Sequence, residues 1–134
     1  MVLTFLISCS SSKIQVKPLY EILAQKISGG ASIPFFEIIT EPNEFGMIKN
    51  DPELKKKIKA NDIQTANFLI LNIGEKPSGG YSIEIENVVE TEKNIIITTR
   101  QIKPQANQNV TFDITSPFLV VKINSKKEII FQDR

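Results

Sequence analysis

The segment Phe68-Leu69-Ile70-Leu71-Asn72-Ile73 is almost wholly apolar. Such a run reads as a central strand that must be covered on both faces. The segments around it also carry strand periodicity. Tyr81-Ser82-Ile83-Glu84-Ile85-Glu86 alternates, which predicts a strand with Tyr81, Ile83 and Ile85 toward the core. Asn94 to Ile102 predicts another, with Ile95 and Ile97 on one face and Ile96 on the other. Val110-Thr111-Phe112-Asp113-Ile114-Thr115 alternates again, and Ser116-Pro117 breaks it. Phe118 to Ile123 and Glu128 to Phe131 read as a last pair, joined by Asn124-Ser125-Lys126-Lys127.

Upstream, Leu19 to Ile27 has strand-like stretches, and Phe35-Phe36-Glu37-Ile38-Ile39-Thr40 is aromatic and β-branched. With the turn Ser28-Gly29-Gly30-Ala31-Ser32 between them, they predict an opening hairpin. Helix signals come next. Glu41-Pro42-Asn43 can start a helical turn carrying Phe45 and Ile48. Asp51-Pro52-Glu53 is a helix entry, with a side-chain cap, Pro at the first position and an early carboxylate. Leu54 and Ile58 share one face, Lys55, Lys56, Lys57 and Lys59 lie on the other side, and Asn61-Asp62 ends the helix. The lysines read as a solvated helix end rather than a seat for an anionic partner. The expected fold is mainly β: a small antiparallel β-sandwich or rolled sheet, with one or two short helices inserted early.

The 134 residues fit one domain. Sixteen Lys plus Arg against fifteen Asp plus Glu disfavour a generalist nucleic-acid binder. The absence of His removes Ser-His-Asp and Cys-His catalysis and the commonest zinc ligand. A single Cys, Cys9, allows no intrachain disulfide and no Cys cluster. No catalytic constellation, metal set or cofactor motif stands out. Glu84 and Glu86 are paired carboxylates, but they share the polar face of an alternating strand and read as solvated.

The first residues read as an address. Val2 to Ile7 is an apolar run, closed by Ser8 and Cys9 and followed by Ser10-Ser11-Ser12. Leu6-Ile7-Ser8-Cys9 is similar to a bacterial lipobox, in which the Cys becomes the lipid-bearing N-terminus. The basic start of such a signal is missing, so residues 1–9 are expected to be a truncated lipoprotein signal. Residues 10–18 then form a tether and 19–134 a single β domain. The alternative is a buried N-terminal strand with a core cysteine. Lipidation of Cys9 places the mature protein outside the cytoplasm, anchored to the bacterial cell envelope through lipid alone.

Gly74-Glu75-Lys76-Pro77-Ser78-Gly79-Gly80-Tyr81 joins two strong strands. Pro77 presets a turn, and Gly79-Gly80 can take positive φ and leave backbone amides approachable. The stretch serves either as a hairpin turn or as a binding loop, with Tyr81 as its structural anchor. The run Ile70 to Ile85 resembles the signature hairpin of the PrcB C-terminal domain family: an apolar strand, a Gly, a Pro-Thr-Gly-Gly-Tyr turn and an alternating strand. Ser78 stands where Thr is usual. Ser116-Pro117-Phe118 to Ile123 resembles that family's later Pro-aromatic step, with Phe118 where Tyr is more common.

The resemblance implies a non-catalytic, lipid-anchored, extracytoplasmic module that binds or stabilises a protease or another envelope protein. The turn chemistry, on a loop held by two strong strands, makes Lys76, Pro77, Ser78, Gly79 and Gly80 the expected contact residues, with Pro117 and Phe118 as a second element. Gly74 to Tyr81 is also similar to the Asn-Pro-Thr-Thr-Gly-Tyr loop of chagasin-like cysteine-protease inhibitors. It lacks the Asn before Pro77, has an extra Gly, and no Trp follows Pro117. That resemblance implies a protease inhibitor using the same loop.

Overall fold

The computed structural model describes residues 17–132, so Cys9 and the signal-like run lie outside the described residues. In order, the elements are β1 (Tyr20–Lys26), β2 (Phe35–Ile39), α1 (Pro42–Lys49), β3 (Asn67–Asn72), β4 (Ser82–Glu90), β5 (Asn94–Ile102), β6 (Phe118–Ile123) and β7 (Glu128–Gln132). Two 3-10 turns, Leu54–Lys56 and Asp62–Gln64, lie between α1 and β3. The expected β-rich architecture with early helical insertions is therefore present. It is built as two sheets, ordered β1-β6-β3-β2 and β4-β5-β7.

The apolar run at 68–73 explains the layering. Phe68 and Ile70 point to one side of β3, where Leu23, Ile39, Phe45, Ile48, Leu54 and Ile58 pack. The rings of Phe45 and Phe68 lie 4.9 Å apart. Leu69 and Leu71 point to the other side, against Ile83, Ile95, Ile97 and Ile129 of the second sheet. β6 is apolar in the same two-sided way: Val120 faces the helical layer, while Leu119, Val121 and Ile123 face the second sheet. A strand with no polar face must occupy the middle of a sheet, so β3 and β6 pair with each other at the centre.

That pairing overturns two expectations. β1 and β2 do not form a hairpin: β1 pairs with β6 and β2 with β3. Nor do β6 and β7 pair. β7 crosses to the other sheet and runs parallel to β5, so the sandwich is not wholly antiparallel. The cause is side-chain distribution. β7 buries Ile129 and leaves Ile130 exposed, a one-faced pattern that suits an edge.

The helical layer differs in position as well. The α-helix is the Pro42 segment, with Phe45 and Ile48 buried. The Asp51 entry leads only into a 3-10 turn, although Asp51 Oδ1 does accept the Glu53 and Leu54 amides at 2.9 and 3.0 Å. Leu54 and Ile58 are buried as their spacing requires. Lys57 is not merely solvated, since its Nζ donates to the Leu23 carbonyl at 2.7 Å.

β5 spans the expected residues, with Ile95 and Ile97 fully buried and Ile96 half-buried on the other face. In β4, Ile83 is buried, while Tyr81, just before the strand, and Ile85 are half-buried against the core between the sheets.

Candidate functional site: a braced pair of loops

Because β3 and β4 belong to different sheets, Gly74 to Tyr81 is a crossover between sheets and not a hairpin turn. Gly74 and Gly80 adopt positive φ, 80° and 89°; Gly79 does not. The Gly79 requirement is one of space. A Cβ there would stand 2.7 Å from Thr111 Oγ1.

Thr111 belongs to the segment expected to be a strand over 110–115. The structure corrects that expectation: 110–115 forms no strand, and its only ladder contact among the described residues is a bridge between Thr115 and Lys76. The segment lies along the crossover and is fastened to it by backbone hydrogen bonds. Lys76 N donates to Thr115 O at 2.8 Å and Thr115 N to Lys76 O at 3.0 Å. Gly79 N donates to Thr111 O at 2.9 Å. The buried Thr115 hydroxyl adds a donation to Ser78 O at 2.8 Å. The amides of Lys76 and Gly79 are thus consumed in bracing and are not open for a ligand.

Val110 is half-buried beside Gly80, whereas the next two apolar side chains of the segment point outward. Phe112 is 92% exposed and Ile114 68% exposed. Pro77 is also exposed, whereas Lys76 and Ser78 are half-covered and Gly79 is buried. Lys76 Nζ lies 5.7 Å from the centre of the Tyr81 ring, which itself packs on the core between the sheets. A third loop, between β1 and β2, reaches the same crossover through Glu75 N, which donates to Ser32 O at 3.1 Å. The neighbouring Ile33 is 72% exposed.

Pro117 and Phe118 do not join this surface. Pro117 is fully buried, and its carbonyl accepts the Ile73 amide at 3.3 Å. Phe118 lies on the helical side of the first sheet. There it forms part of an open groove of about 300 Å³ with Phe35, Met47 and Leu54. Gly29 and Gly30 pass directly over it, within 3.5 and 3.2 Å of any added Cβ. The expected loop is therefore at one place and the expected second element at another. Glu84, on the outer face of the second sheet, is held by Arg100 Nε at 2.8 Å.

Phe112 and Ile114 were missed as surface residues because their alternation is that of a half-buried strand. The available signal was the long polar run at 103–109 just before them.

A family model described as PrcB C-terminal matches residues 68–124. No curated protein and no solved structure matches the chain. The matched stretch runs from β3 through the whole of β6, and so takes in both braced segments and the strands that hold them. Over residues 68–124, the chain is similar to the PrcB C-terminal domain family.

Proposed function

We propose that this chain is a non-catalytic interaction module, held outside the cytoplasm by a lipid on Cys9. It binds or stabilises a protease or another envelope protein through the loop end formed by 76–80 and 110–115. The family match supports association with a protease complex. The observation that carries the reading is the exposure of Phe112 and Ile114 on a segment that four hydrogen bonds fasten to the crossover. Apolar side chains held out on a rigid support act as anchors for a partner surface. The surface also lies at the opposite end of the first sheet from Tyr20, where the chain enters it, since β1 ends at Lys26 opposite Phe118. The point of attachment does not obstruct it.

The test is site-specific photocrosslinking in cells of a full-length protein with an intact signal. A photoreactive residue at Phe112 should give a discrete adduct with an envelope protein, and one at Lys93, at the other end of the sheets, should not. Equal labelling from both positions, or none, overturns the assignment. Cys9→Ala should release the protein from membranes or stall its processing; unchanged fractionation without lipid label removes the anchor from the proposal. If the adduct is a protease, adding purified module to it separates the two family resemblances. A complex subunit leaves or raises turnover, and a chagasin-like inhibitor lowers it.

A further inference from the structure

Each sheet ends in two edge strands, β1 and β2 in one and β4 and β7 in the other. Edge strands carry unpaired N–H and C=O groups, and folded proteins usually blunt them with bulges or charges. β1 has a bulge between Ile22 and Ala24, and Lys57 caps its Leu23 carbonyl. β4 has a bulge between Ile85 and Asn87, and Gln25 Nε2 donates to its Ile83 carbonyl at 3.1 Å. β2 carries Glu37 at its centre. Among the described residues β7 has no bulge, no cap on its edge and no charge at its centre. It pairs with β5 in unbroken register, and its three central residues are Ile129, Ile130 and Phe131. Alternate residues of β7 turn their backbone groups away from β5.

We propose that β7 pairs antiparallel with β7 of a second copy of this chain, about a two-fold axis through Ile130. The pairing joins the two three-stranded sheets into one continuous sheet. It works whichever alternate residues face outward, because the register is symmetric about Ile130. Charge selects this edge and this occupant. The two-fold places Ile130 opposite Ile130 and Glu128 opposite Gln132, so no like charges meet. The same operation on β2 places Glu37 opposite Glu37, which is unfavourable. The outer face agrees. Val89, Ile96 and Ile130 are in register across β4, β5 and β7, and Val89 and Ile130 are 44% and 40% exposed. Pairing continues that apolar row into the equivalent row of the second copy. Beneath the edge, Phe36 closes the core against Phe131 at 5.3 Å between ring centres.

A single pair of five-residue strands is a small interface, so the dimer dissociates in dilute solution. The test uses the full chain with Cys9→Ser, to which one cysteine is added. Residues directly opposite in an antiparallel pair have Cα atoms about 4.5–5.5 Å apart, within disulfide reach. Under mild oxidation, Ile130→Cys should form linked dimers much faster than Glu128→Cys or Gln132→Cys alone. A mixture of the E128C and Q132C chains should link as I130C does. Ile130→Lys should weaken self-association in sedimentation about tenfold, with an unchanged circular dichroism spectrum. The proposal is overturned if linking is equal at the three positions, if Glu37→Cys links faster, or if I130C gives no dimer at concentrations where the protein remains soluble.

Discussion

Gly79 and Gly80 are adjacent and both meet the 104–111 segment, yet they are glycines for different reasons. Gly80 has φ of 89°, and a Cβ there would stand 2.8 Å from Pro104 Cβ and 3.0 Å from Val110 Cγ1. Gly80→Ala therefore adds a left-handed backbone cost of about 1–2 kcal/mol. Overpacking against a ring and a branched methyl adds roughly 1–2 kcal/mol more. The expected loss is about 2–4 kcal/mol. Gly79 has no positive φ. Its added methyl meets a hydroxyl, Thr111 Oγ1, at 2.7 Å, and the next atoms lie at 3.6 and 3.8 Å. A χ1 rotation of Thr111 relieves that contact, so Gly79→Ala should cost about 1 kcal/mol or less. Gly46, in α1, has nothing within 4 Å of an added Cβ. Gly46→Ala should stabilise by about 0.5–1 kcal/mol. Thermal unfolding resolves the three, at roughly 3–5 °C per kcal/mol for a domain of this size. The midpoint should fall by about 8–15 °C for G80A, fall by less than about 5 °C for G79A and rise for G46A. A G79A midpoint as low as that of G80A would refute the distinction between backbone and space.

Thr115→Val removes the donor to Ser78 O at a buried position. It should cost about 1–2 kcal/mol in urea unfolding. Tyr81→Ala strips a half-buried ring from the core between the sheets. A loss of about 2–3 kcal/mol is expected, below the range for fully buried aromatics, and Tyr81→Phe should be nearly neutral. Phe112→Ser with Ile114→Ser alters only exposed side chains. Stability should stay within about 0.5 kcal/mol, while the photocrosslinked adduct from a probe at Pro77 disappears.

What the sequence displayed of the fold was burial, residue by residue. The two-sided pattern of Phe68 to Ile73 and of Phe118 to Ile123 has one solution, the centre of a covered sheet, and both strands are there. Pairing is a different kind of information. Leu19 to Ile27 and Phe35 to Thr40 look like two arms of a hairpin because a Gly-Gly turn separates them. In the structure that turn instead passes over Phe118, and Ala31 N donates to Asn72 Oδ1 at 2.8 Å. Its glycines permit close approach to a strand that comes much later in the chain, and no local pattern records that.

The candidate site shows the same division. Pro77, Gly79 and Gly80 were visible as a special loop because turn chemistry is local. Their partner segment alternates without being a strand, since alternation marks a strand only where one row of side chains has a surface to bury against. Among the described residues Phe112 and Ile114 meet no such surface, and the segment around them bonds to Lys76 and Gly79 through backbone and to Ser78 through the Thr115 hydroxyl instead of to a strand. That exposed apolar pair, on a segment pinned at Thr111 and Thr115, is what the proposed partner contact rests on. Lys126 shows how little of such bracing is local. Its Nζ donates to the carbonyls of Thr40, Ile63 and Ala66, at 2.7, 2.9 and 3.3 Å, yet in the sequence it is one residue of a polar turn.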